Sequence, residues 1–407
     1  MKKFFYVAIF SLVIIHLTTP TSITFAEEDF TFNPSFEFRS EYDNNINFDN
    51  KYEISDWLGV FIPSLKARWQ TPRLNVNGSA AAEIRRFNTE TRFNDEYQRY
   101  RLDTSYQVLE RLSIEAGASY TKDSTLDSEL EETGVVGNLY RRDRYTLSTG
   151  IHYQLGERVA TGLNYNYADT SYDSPFNSDY DSHSVVGSIS YLFRNQRDQV
   201  FLQPSYYYYE SDHNKVNNYG FSLGWNRALS ETLNLSCYVG CRYTDSEYFY
   251  HIYVPALDPE HGIIWQKRKI SANETDFGGT ADMSLSGRTE TLTYRITYNR
   301  DLSYTSSGNP IDRDKFTGSI GWKITERLRS GFDCGLYFSK ANDDFSNEDS
   351  TYLYLHPHIS FRLYKNHHLQ FHYRYARTKD DTLRENNTYD RSRVWLALVL
   401  NFPKLLD

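Results

Sequence analysis

Apolar and polar residues alternate with period two in segment after segment of this chain, and the connections between segments are short and long in turn. The clearest stretch sets Leu233, Leu235, Cys237, Val239, Cys241 and Tyr243 against Asn234, Ser236, Tyr238, Gly240, Arg242 and Thr244. Successive strand side chains point to opposite faces, so such a segment has one apolar face and one polar face. Repeated over most of 407 residues, the pattern predicts an all-β fold. It is a transmembrane antiparallel up-and-down β-barrel, apolar outside and wet inside.

The amount of apolar residue fits that reading better than a large soluble core. Hydrophobic residues make up 39% of the chain, and its mean hydropathy is -0.65. The 35 Tyr and 25 Phe suit a surface that passes from hydrocarbon to water, where amphipathic rings concentrate.

The first 26 residues have the organisation of a secretory signal: Lys2 and Lys3, an apolar stretch from Phe4 to Leu17, then Thr24 and Ala26. Cleavage after Ala26 leaves residues 27–407 as one barrel domain and, with two lysines gone, takes the formal charge from -9 to -11. No run of about 18 apolar residues follows, so no helical span is available. The expected location is the outer membrane of a Gram-negative bacterium, with outer-membrane lipid as a partner. Val394, Leu396, Leu398, Leu400 and Phe402 share one phase of the last strand. They resemble the C-terminal signal read by the barrel-insertion machinery, which is a second expected partner. Nothing in the charge pattern points to nucleic acid.

Short turns recur in one form, as in Leu109-Glu110-Arg111-Leu112 and Ile324-Thr325-Glu326-Arg327-Leu328, with polar residues between apolar anchors. Longer Asp- and Asn-rich connections alternate with them, among them 43–55, 123–139, 212–217, 247–271 and 305–311. The segments between number about eighteen, with sixteen as the alternative. An even count keeps both ends on the periplasmic side and places the long loops outside. Two segments resist: Val200 to Glu210 does not declare its phase. Leu58, Val60 and Ile62 fall out of step with Leu65, Ala67 and Trp69, which predicts a bulge near Pro63.

On the polar phase, the predicted lumen is rich in cations. Arg85, Arg99, Arg101, Arg242, Arg295, Lys323, Arg329, Arg362 and Arg374 are the candidates for setting selectivity. Arg39, Lys66 and Arg68 add to them, against seven inward acids: Glu37, Glu83, Asp103, Glu115, Asp276, Asp282 and Asp333. Such a wall favours anions, unless its charges pair across strands and only brace the barrel.

The 247–271 connection is the longest and carries Tyr250, Tyr253, Trp265, Lys267, Arg268 and Lys269. It reads as a constriction loop, as an aromatic and cationic face for sugar outside, or as a solvated loop over the rim. Inward His356, His358, His368 and His372 bring four imidazoles onto neighbouring strands. Metal binding is one reading of such a cluster; a wet, pH-sensitive wall patch is the favoured one, with no metal assigned. Cys237, Cys241 and Cys334 fall on the apolar phase and read as small lipid-facing side chains. No nucleophile elbow is present, so no catalytic residue or cofactor is assigned and the chain is not read as an enzyme.

The hairpins Glu110-Arg111-Leu112 with Gly117 and Tyr120, and Glu326-Arg327-Leu328 with Gly331 and Tyr337, resemble those of outer-membrane β-barrel porins found with exopolysaccharide gene clusters. The resemblance implies a pore for passive diffusion or export, of a polysaccharide or an anionic solute, with polysaccharide export components as partners. A surface receptor or adhesin acting through the long loops is the first alternative, and an outer-membrane barrel hydrolase the second.

Overall fold

A computed structural model describes residues 29–135, 139–174, 177–258, 262–305, 310–341, 349–380 and 387–402. The expected signal segment, residues 1–26, lies outside them. Among the described residues, the chain forms eighteen antiparallel strands, from β1 (Asp29–Asp43) to β18 (Asn387–Asn401), each paired with its sequence neighbours. The ring closes where β1 pairs with β18, from Ser35 opposite Asn401 to Asp43 opposite Arg393. Closure joins first strand to last, so the ring has no free end strand, as a hydrocarbon environment requires. With strands about 4.8 Å apart and tilted about 40°, eighteen of them enclose a cylinder about 36 Å across, backbone to backbone.

Alternation decides which face each residue takes. Phe38, Ile151, Leu163, Ile189, Leu223, Val239, Ile296, Ile320, Phe371 and Leu396 are each about half exposed, and all stand on the outer face. An exposed apolar band of this extent, encircling the barrel, is a surface for lipid. Trp69, Tyr106, Tyr153, Tyr191, Trp225 and Trp322 ring its short-turn end, also exposed, as an interfacial girdle does. Cys237, Cys241 and Cys334 are unbridged.

The bulge expected near Pro63 is absent. β2 (Asp56–Gln70) pairs in one unbroken register with β1, Phe36 opposite Pro63, and keeps a constant register with β3 (Leu74–Phe87). The change of apolar phase has another cause. Leu58 and Val60 point into the lumen and are buried with Ile46 and Phe87, beneath the loop that follows β1. The undeclared segment is β9 (Asp198–Ser211), whose inner face carries Phe201, Tyr207 and Tyr209. Phe201 fits because its partner Gly224 has no side chain, and a Cβ there would sit 1.8 Å from the Phe201 ring.

Two connections differ from expectation. β9 is joined to β10 (Asn214–Ala228) through residues 212–213 alone, with Lys215 and Val216 already in the ladder. The 247–271 connection is strand for nearly all its length. β11 (Leu233–Asp258) and β12 (Gly262–Arg288) stay paired from Leu233 opposite Gly287 to Asp258 opposite Gly262. Their outer halves continue as a two-stranded ribbon beyond the last pairings with β10 at Tyr248 and with β13 (Leu292–Tyr304) at Ala281.

Candidate functional site

The segment that enters the lumen is the connection between β5 (Leu112–Ser124) and β6 (Arg141–Gln154). It makes a π-helical turn (Thr125–Glu129) and one α-helical turn (Leu130–Thr133), ended by Gly134 in the left-handed region at φ 79°. Leu126 and Leu130, four apart on a helix, share one side. They are buried with Phe48, Tyr337, Tyr352 and Ala376. Ser339 Oγ donates to the Thr133 carbonyl at 2.5 Å, and Lys315 Nζ to that of Glu131 at 3.4 Å. Ser339 and Tyr337 belong to β15 (Leu328–Ala341) and Lys315 to β14 (Pro310–Lys323). In a ring of eighteen, β15 stands nine strands from β6, so this loop spans the lumen to the opposite wall.

Three acids of the loop fasten it to wall arginines. Asp127 meets Arg85 at 2.6 Å, Arg393 at 3.3 Å and Arg391 at 3.8 Å, and accepts from Tyr97 Oη at 3.1 Å. Glu131 meets Arg374 at 2.6 Å. Glu132 meets Arg142 at 3.0 Å and Arg144 at 3.3 Å. Burial alone would raise the Asp127 carboxyl; the guanidinium groups of Arg85, Arg391 and Arg393 outweigh it and hold the group well below the usual carboxylate range. Glu132 is lowered for the same reason, against its burial, by Arg142 and Arg144.

The wall supplies further carboxylates to the same arginines: Asp43 to Arg391, Glu83 to Arg85 and Arg99, Asp123 to Arg142, and Glu41 to Arg393 and Arg39, which also binds Glu37. Eight guanidinium groups thus meet eight carboxylates, three of them from the loop. The belt is close to neutral, and its charges brace the loop.

Two more connections lean inward. After β1, Phe48 takes φ 48°, rare for a non-glycine residue, and stacks on Tyr389 at 5.9 Å. Asn45 fixes this turn by donating to the carbonyls of Asp49 and Asp390 at 2.8 and 2.9 Å. The far end of the β13–β14 hairpin leaves β12 after Arg300 and crosses toward β9, where Tyr304 stacks on Tyr209 at 4.2 Å. Arg242, from β11, is ion-paired to Asp312 on that hairpin and lies 3.5 Å from Asp276.

The nine expected selectivity residues therefore divide. Arg85, Arg242 and Arg374 have little exposure and hold inward loops in place. Arg99 and Arg101 are exposed but paired, with Glu83 at 3.6 Å and Asp103 at 2.6 Å. Lys323 binds Glu326, and Arg362 donates to the Glu326 carbonyl, both at the short-turn end. Arg295 and Arg329 remain exposed and, among the described residues, have no carboxylate within 4 Å. Arg288 shares that condition and was not among the candidates, because it sits where strand passes into turn. Arg142, Arg144, Arg391 and Arg393 were also missed, because their flanking positions include the polar Arg141, Asp143, Asp390 and Ser392 and no clean alternation marks them.

Of the connection expected as a constriction loop, residues 247–258 and 262–271 are paired strand. Tyr250 stands opposite Ile270, Tyr253 opposite Lys267, and Pro255 opposite Trp265, as rungs of one antiparallel ladder. The side chains of Tyr250, Tyr253 and Lys267 lie outside the described set. Trp265 is 67% exposed, Arg268 is also exposed, and Lys269 Nζ lies 3.5 Å from the Phe249 ring. Of the four lumen histidines, His356, His358 and His372 converge. His368 stands apart, beside Arg329 and Arg362.

No protein-family model matches the sequence, and no curated protein does. Solved structures similar to it include an outer-membrane protein and a porin. The crystal structure of Pseudomonas aeruginosa OpdK with vanillate has 11% identity and a TM-score of 0.45, over 91% of this chain and 99% of that one. A BenF-like porin from Pseudomonas fluorescens Pf-5 has 12% identity and a TM-score of 0.47, over 92% and 99%. The ferric-catecholate import receptor Fiu of E. coli K12 has 8% and 0.48, over 92% and 82%. At such identities and scores these likenesses carry nothing about solutes; this chain's own strand pairings make it a closed, eighteen-stranded antiparallel barrel with a lipid-suited exterior.

Proposed function

We propose that this barrel is an outer-membrane diffusion channel for small hydrophilic solutes, with a preference for anions. The observation that carries the reading is the loop pinned from wall to wall by Asp127, Glu131 and Glu132. It narrows the lumen, and its three fastening carboxylates are matched by wall arginines. Selectivity then falls to the short-turn vestibule, where Arg288 and Arg329 line a recess of about 680 Å³ and Arg295 is exposed nearby. Exposed, unpaired cations around a pore attract anions.

A divided lumen suits small solutes better than a polysaccharide chain, so the export of a polymer is the weaker reading. The receptor alternative would use the β11–β12 ribbon, with exposed Trp265 and Arg268. The hydrolase alternative gains no residue.

Reconstitution in a planar bilayer tests the channel. Under a KCl gradient the reversal potential should show anion preference, and the triple variant Arg288→Glu, Arg295→Glu, Arg329→Glu should reverse its sign. Cation preference in the unaltered protein would overturn the selectivity, and absence of any conductance would overturn the channel.

A further inference from the structure

We infer that His356, His358 and His372 form a binding site for a divalent transition metal ion in the barrel wall. His356 and His358 lie two apart on β16 (Asp349–Tyr364), and His358 is directly opposite His372 on β17 (His367–Asp380). That spacing puts three rings on the lumen face. One ligand nitrogen from each lies within 4.8 Å of the others. Metal–nitrogen bonds of about 2.0–2.1 Å place tetrahedral ligands roughly 3.4 Å apart, so modest side-chain rotations close the set.

The surroundings prepare the rings. Trp395 stacks on His372 at 4.7 Å and 5°, and on His356 at 5.3 Å. Gly331 faces His358 across the ladder, and a Cβ there would come within 2.3 Å of the imidazole, so the ring occupies space that only glycine leaves. His358 Nδ1 is buried and has no hydrogen-bond partner, a donor atom awaiting use. His356 Nε2 lies 3.0 Å from His372 Nδ1, a contact that metal ligation would replace.

Asp333, on β15, places Oδ2 3.7 Å from Nδ1 of both His356 and His358. It brings a negative charge to offset the ion's and can orient a ligand ring or complete the coordination. The nearby arginines are engaged elsewhere, Arg374 by Glu131 and Arg39 by Glu37. Neutral imidazoles suit Zn²⁺, Cu²⁺ and Ni²⁺. His358 and His372 border the vestibule recess, which gives the ion a wet route and leaves a coordination position for water.

The test uses the full barrel, without an affinity tag, stripped with chelator in detergent. Titration with Zn²⁺ should show one saturable equivalent, and Cu²⁺ should give an electron paramagnetic resonance spectrum with coupling to three nitrogens. His358→Asn with His372→Gln should remove both signals. Asp333→Asn should weaken Zn²⁺ binding about 10- to 100-fold, as loss of an orienting carboxylate does. Failure to bind in the unaltered barrel, or equal binding in the double variant, would overturn the site. Should the double variant not fold, the nitrogen count in the unaltered protein decides: three coupled nitrogens support the site, and one or none removes it.

Discussion

Asp127→Asn is expected to free the crossing loop and enlarge the single-channel conductance. The side chain keeps its size and can still accept from Tyr97, but the charge that gathers Arg85, Arg391 and Arg393 is gone. Breaking a buried ion pair from one side costs about 3–5 kcal/mol, since the partner charges stay buried without compensation. Here three guanidinium groups are left facing one another, with only Asp43, Glu41 and Glu83 as neighbours. The loop's apolar contacts through Leu126 and Leu130 remain, so the expected state is a loop that detaches and returns. Bilayer records should show a larger mean step with added gating noise. An unchanged step and quiet baseline would mean that the ion pairs do not hold the loop.

The same anchor has a defined pH dependence. A carboxyl whose folded-state pKa lies below its unfolded value, near 3.9 for Asp, contributes stability that is complete above the unfolded value. That stability is lost only as pH falls through the lower folded value. Asp127 is of this kind. Taking the medium from pH 8 to pH 4 should therefore leave the loop in place and the conductance step unchanged. A step that grows between pH 6 and pH 4 would show that the loop's carboxylates are not held ionised by the wall arginines.

The barrel was legible in the sequence because its determinant is local. Alternation in Leu292, Tyr294, Ile296 and Tyr298, or in Leu369, Phe371, Tyr373 and Tyr375, needs no knowledge of distant residues. The lumen was legible as a set of charges but not as a set of pairs. Pairing of Arg391 with Asp43 joins residues 348 apart in the chain, and Arg374 on β17 meets Glu131 across the lumen. The crossing loop did leave a local trace. Leu126 and Leu130 sit four apart inside an acidic connection and Gly134 follows, which is how a short helix with an apolar side ends. Length carried no sign of backbone form: residues 247–271 read as the longest connection, and 247–258 and 262–271 are paired strand. The misjudged bulge at Pro63 has a related cause, since Leu58 and Val60 are apolar toward the lumen only because Ile46 and Phe87 cover them.

If the outer face meets hydrocarbon, Leu223→Arg should destabilise the folded barrel in lipid by about 1–3 kcal/mol, because the cost of a charge falls from about 2–4 kcal/mol at the bilayer midplane to about 0–1 kcal/mol at its edges. Leu223 is 55% exposed and lies between Val239 on β11 and Leu202 on β9, inside the apolar band and two residues from Trp225 of the short-turn girdle. An arginine there has no inward route, because the neighbouring strands close the wall. Its neighbour Ser222 points the other way, into water, and Ser222→Arg should leave stability within about 1 kcal/mol while altering ion selectivity. Equilibrium unfolding by guanidinium in lipid vesicles distinguishes the two. Equal effects of the two substitutions would mean that the two faces of β10 do not differ in solvent, and that the exposed apolar belt is covered by something other than lipid.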